Sequence, residues 1–153
     1  MEIKSGAMPG KAFQILQSGD SGIIEFFDNV IAEPEIDKMT GRKVTIWRCE
    51  KYVLTVPYFP GLAAEIENNY AVWLKKAKDA ELAAEAEKVR NYRDNLLNTC
   101  DTVYCNAEKW AAMTADQQQA WATYKQALRD VPTQVGVPYT VSWPAMPAEG
   151  GTT

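Results

Sequence analysis

The chain has 153 residues, of which 46 % are hydrophobic and 24 % charged, and a formal net charge of −4; this suits one domain or a small domain with an appendage, and excludes global disorder. An acidic balance with no basic block argues against a nucleic-acid partner, and no run of about 18 apolar residues offers a membrane span. Histidine is absent, which closes the Ser-His-Asp triad, the Cys-His pair and the His-ligated metal. Carboxylates or a lysine could still catalyse, as in a carboxylate-based hydrolase, but the acids lie at solvated spacing, and no catalytic residue, cofactor or metal site is expected.

The first residues, Met1 to Lys11, lack an apolar signal core and show no secretory or transit pattern. Three cysteines, Cys49, Cys100 and Cys105, are an odd number at spacings that suit neither zinc nor a disulfide framework. Reduced thiols are the reading.

Residues 1–61 read as a small β-domain. A short mixed run around Phe13, Ile15 and Gln17 is followed by the turn Ser18-Gly19-Asp20-Ser21-Gly22. Gly22 to Ile31 is rich in β-branched and aromatic residues, as strands are. The polar stretch Glu33 to Arg42 reads as a loop, with Pro34 stopping the ladder. Its carboxylates Glu33, Glu35 and Asp37 lack the glycine and closing Glu of a calcium loop. Val44 to Trp47 and Tyr52 to Val56 read as two further strands. Three or four antiparallel strands make a sheet too small to stand alone, so it should pack on a helix or a partner.

At Leu62 the period changes. Ile66, Tyr70, Trp73, Ala77, Ala80 and Ala84 fall on one helical stripe. No Gly or Pro occurs between Gly61 and Val131, so a single helix is expected from about Leu62 to Asn98 within a 62–100 segment, about 55 Å long. Two arrangements fit: a coiled-coil stalk joining two or three copies, or a first half that backs the sheet through Tyr70 and Trp73 while the far end packs on the C-terminal helix. The sheet is expected to cover only the bulky first turns, which makes Ala77, Ala80 and Ala84 candidates for an oligomer interface.

Residues 101–153 read as a C-terminal module. After a connector from Asp101 to Trp110, Thr114-Ala-Asp-Gln117 has the form of a capping box. The helix it opens carries Trp121, Tyr124 and Leu128 on one face and should end before Val131-Pro132. Two helices and a short connector suggest an αα-hairpin. Beyond it, Val135 to Pro147 is proline-rich and extended; Tyr139, Val141 and Trp143 alternate, which fits an added edge strand or a chain lying in a groove. The fold class is therefore α+β: a small N-terminal antiparallel sheet, a long central helix, a C-terminal αα-hairpin and an extended Pro-rich tail.

Particular residues of this module carry a resemblance. Arg93-Asp94-Asn-Leu96-Leu97, Asp101, the block Trp121-Ala-Thr-Tyr124-Lys-Gln-Ala-Leu128-Arg129-Asp130-Val131-Pro132-Thr-Gln134, and Pro138 with Val141-Ser-Trp143-Pro144 resemble the C-terminal module of bacteriophage tail assembly chaperone proteins. Thr102 departs from that pattern, which has an aromatic directly after the Asp. The resemblance implies a non-enzymatic role in building a phage tail, in the host cytoplasm during assembly, with tail-fibre, baseplate or other tail proteins as partners. The alternative is a permanent virion component that uses the long helix to form a dimer or trimer. Trp121, Tyr124, Leu128, Arg129, Asp130, Pro132, Pro138, Trp143 and Pro144 are the candidate partner-binding residues. Large apolar anchors are typical of binding hot spots, and the competing reading puts Trp121 and Leu128 in the core of the helical hairpin.

Overall fold

The computed structural model describes residues 1–147; the last residues of the expected extended tail, 148–153, lie outside the described residues. The chain divides into two compact units, Met1–Glu81 and Leu82–Thr153.

The first unit holds a four-stranded antiparallel sheet, order β1-β4-β3-β2, from β1 (Glu2–Ser5), β2 (Phe13–Ser18), β3 (Ser21–Ile36) and β4 (Lys43–Pro57). Gly19, with a positive φ of 59°, makes the tight β2–β3 turn possible. The structure corrects the expected Glu33–Arg42 loop. β3 runs to Ile36, with Pro34 opposite Thr45, and β4 is one strand rather than two. Pro34 is tolerated because β2 pairs with β3 no further than Phe26, so no strand lies on its other side to need its N–H. A bulge between Asp28 and Ile31 resets the register, with Asn29 at φ 48° and its side chain donating to Glu50 Oε2 at 2.8 Å. The actual turn is shorter, closed by Asp37, whose Oδ1 accepts from the N–H groups of Met39 and Thr40.

The expected single helix is broken once. α1 (Leu62–Asn68) and α2 (Tyr70–Thr99) flank Asn69, whose φ and ψ of −127° and 33° are not helical. Its side-chain amide donates back to the Glu65 carbonyl and carboxylate, the local competition that makes Asn a weak helix former. α2 crosses the boundary between the units.

The core of the first unit joins Phe13, Ile24 and Phe26 of the sheet to Leu62 and Ile66 of α1, with Tyr70, Trp73 and Leu74 packed against it. Thus the start of the predicted stripe backs the sheet. Ala77 belongs to the same core and is 0 % exposed. This corrects the expectation that the sheet stops short of it: only Ala80 and Ala84 of the three alanines stay exposed.

In the second unit, the end of α2 runs into a π-turn, Cys100–Tyr104, closed by the Cys105 N–H on the Cys100 carbonyl at 2.7 Å. α3 (Ala107–Ala112) follows, capped by Asn106, then α4 (Ala115–Asp130). The predicted connector therefore contains a π-turn and a helix of its own. Thr114 and Gln117 form the reciprocal capping box, and α4 ends at Asp130, before a single 3-10 turn at Val131–Thr133. Residues 134–147 add no strand to the sheet.

Candidate partner-binding surface

The second unit is organised around aromatic rings. Trp121, Tyr124 and Leu128 of α4 pack with Cys100, and Leu96, Leu97, Tyr104, Trp110, Met113 and Trp143 close the cluster from outside. Tyr104 stacks on Trp121 at 5.0 Å and 18°, and Tyr124 meets Trp121 edge-on at 5.9 Å and 79°, geometries that satisfy the ring quadrupoles. Burial pushes the Tyr124 hydroxyl and the Cys100 and Cys105 thiols above their ordinary pKa ranges, so all three stay protonated at neutral pH.

This packing separates the predicted binding residues. Trp121, Tyr124 and Leu128 are buried inside the unit, where the competing reading put Trp121 and Leu128. Arg129 and Asp130 are exposed at the end of α4. The Asp130 carboxylate accepts from Gln126 Nε2 at 3.0 Å, one turn back, and the Asp130 carbonyl accepts from the Thr133 hydroxyl at 2.7 Å. Asp130 is thus anchored locally. Pro132, Pro138, Trp143 and Pro144 are half-buried, with the Val137–Pro138 bond cis.

Trp143 leans on the core with one side and meets Tyr92 of α2 with the other. Helical spacing puts Tyr92 on an apolar stripe with Val89 and Leu96, yet it is 53 % exposed and forms one wall of an aromatic ledge with Trp143. Val135, Tyr139 and Met146 are further exposed apolar residues of the same unit. The alternation of Tyr139, Val141 and Trp143 did not report this exposure, because residues 134–147 are neither helix nor strand. The signal available was compositional: no Asp, Glu, Lys or Arg occurs from Val131 to Pro147.

The electrostatics nearby are local. Lys125 of α4 pairs with Asp101 of the π-turn, tying that turn to the helix, and Arg93 pairs with Asp94. Among the described residues no group of three or more His, Cys, Asp or Glu converges to hold a metal ion. Cys49, Cys100 and Cys105 are free thiols.

A family comparison fits this unit's limits. Residues 86–148 match the family of phage tail assembly chaperone proteins. The chaperone match lies wholly within the second unit and takes in the end of α2, the π-turn, α3, α4 and the ledge. It covers the residues that carried the resemblance in the sequence. The sheet unit lies outside it. No curated protein and no solved structure matches the chain. No helix among the described residues is long and apolar enough to cross a membrane.

Proposed function

We propose that the chain is a non-enzymatic phage tail assembly protein whose C-terminal unit binds a tail subunit, from the fibre or the baseplate, during assembly in the host cytoplasm. One observation carries this reading: the stretch matched to tail assembly chaperones coincides with a unit that fills its own core and still exposes an uncharged apolar surface beside Trp143. A monomer gains nothing by leaving such groups wet, since each Å² of apolar area buried is worth about 25 cal/mol. A binding surface uses them.

Ala80 and Ala84 remain the proposed contact between copies if the chain is oligomeric.

The test is pairwise co-expression of the tagged chain with each tail structural protein of its phage, followed by purification and a solubility assay. Stoichiometric capture of one tail protein, with that protein kept soluble, is the expected result. Absence of any such pair overturns the reading. Mass spectrometry of purified particles then separates a transient chaperone, absent from virions, from a permanent tail component.

A further inference from the structure

The second unit carries a loop whose construction its own core does not require. Gln134 closes it with one planar side chain. Its Nε2 donates to the Ser142 carbonyl at 2.8 Å, and its Oε1 accepts from the Ser142 N–H at 2.9 Å. The amide thereby mimics a paired strand residue and pins both ends of the segment. Inside, the Thr140 N–H donates to the Gly136 carbonyl at 2.8 Å. Gly136 has a φ of 94°, which side chains rarely adopt, and a Cβ there would stand 3.1 Å from Thr140 Cβ.

A loop held this tightly presents Val135 fully exposed and Tyr139 64 % exposed. At the loop's two flanks Val131 is buried and Trp143 packs on the α4 core, but neither Val135 nor Tyr139 belongs to that core. Tyrosine on a rigid loop is a favourable anchor, because it buries a large area while losing few rotors. A loop already ordered before contact avoids most of the ordering cost of binding. The surroundings also state what it can meet. The stretch from Val131 to Pro147 is free of charged side chains in a chain that is 24 % charged, so electrostatic complementarity has no handle there.

We propose that the loop between Gln134 and Ser142 is the docking element of the C-terminal unit, with Tyr139 and Val135 seating in an uncharged apolar pocket on a folded tail protein. Gln134 is the positioning residue. The inference rests on the tail-assembly reading above and names where and by what chemistry that reading acts.

The experiment measures affinity of the full chain for the tail protein captured by co-expression, by calorimetry at low and at roughly tenfold higher salt. Three variants accompany the parent: Val135→Ser/Tyr139→Ala, Gln134→Ala, and Glu87→Ala as an exposed control on α2, outside the loop. The expected result is a loss of tenfold or more in the double variant and a smaller loss in Gln134→Ala. The parent's affinity should change by less than about threefold with salt, and Glu87→Ala should bind as the parent does. Nitration of Tyr139, read by mass spectrometry in the free and bound parent chain, needs no variant and should show protection in the complex. If the parent binds its tail protein while the double variant binds equally well and Tyr139 stays reactive, the loop proposal is overturned and the chaperone reading survives. A steep salt dependence also overturns it. If the parent binds no tail protein, the functional reading fails and takes the loop with it.

Discussion

Tyr92 and Trp143 stand edge to face, their ring centroids 4.7 Å apart at 81°. The contact ties the chain after Pro138 to α2, and it makes Trp143 a packing residue of the second unit as much as a surface one. Trp143→Ala should therefore cost about 2–3 kcal/mol in a urea titration, below a fully buried tryptophan because its outer side is wet. A double-mutant cycle with Tyr92→Ala should show a coupling of about 0.5–1.5 kcal/mol. Strict additivity would mean that the ring contact contributes nothing.

Leu128 tests the core reading of α4. It is fully buried between Trp121 and the end of the helix, so Leu128→Ala should destabilise by about 3–4 kcal/mol. The denaturation midpoint reads this directly. A change under about 1 kcal/mol would return the residue to the surface and to partner binding.

The Asp28–Lys78 pair makes the first unit sensitive to acid. The hydrogen bond from Lys78, at 2.6 Å, is the main cause that holds the Asp28 carboxyl below its ordinary range, against the opposing cost of burial. A depressed folded-state pKa contributes stability above the ordinary aspartate value, and that contribution disappears as the pH falls below about 4 toward the folded value. The same bond raises Lys78, a contribution complete below the ordinary lysine range and lost as the pH rises through the raised value. Melting temperature followed from pH 7 to pH 2 should fall less steeply in Asp28→Asn than in the parent. Parallel curves would remove the pair from the acid transition.

Burial raises the thiols of Cys49, Cys100 and Cys105 above their ordinary range. The native protein should react slowly with a thiol reagent at neutral pH, half-buried Cys105 first, and fast in denaturant. Replacing all three by Ser or Ala should cost about 1–3 kcal/mol and leave binding of the tail protein intact. Loss of binding in a folded triple variant would assign the cysteines a role beyond packing.

The alanine stripe divides at Ala77. Ala77→Glu should unfold the first unit, because it forces a carboxylate into the core beside Phe26 and Ile66. Ala80→Glu with Ala84→Glu should leave helicity unchanged. Light scattering of that double variant decides whether these alanines join copies: dissociation supports a shared helix, and an unchanged mass removes it.

Local chemistry made part of this molecule legible. The Thr114–Gln117 box, the stop before Val131-Pro132, the change of period at Leu62 and the turn at Gly19 all depend on residues within a few positions of one another. The α+β class and the resemblance of the C-terminal module rest on such signals. Tertiary pairing decided the rest. Pro34 could continue a strand only because its outer side faces no neighbour, and β1 exists because Ile3 found Cys49 across the ladder; neither partner is visible in local sequence. The same holds for the binding surface. A face of Trp121, Tyr124 and Leu128 reads identically whether it meets a partner or its own chain, since the apolar pattern records only that the face must be covered. What covers it is settled by distant segments, here the π-turn and the end of α2, and their packing moves the exposed apolar surface to Tyr92, Val135 and Tyr139.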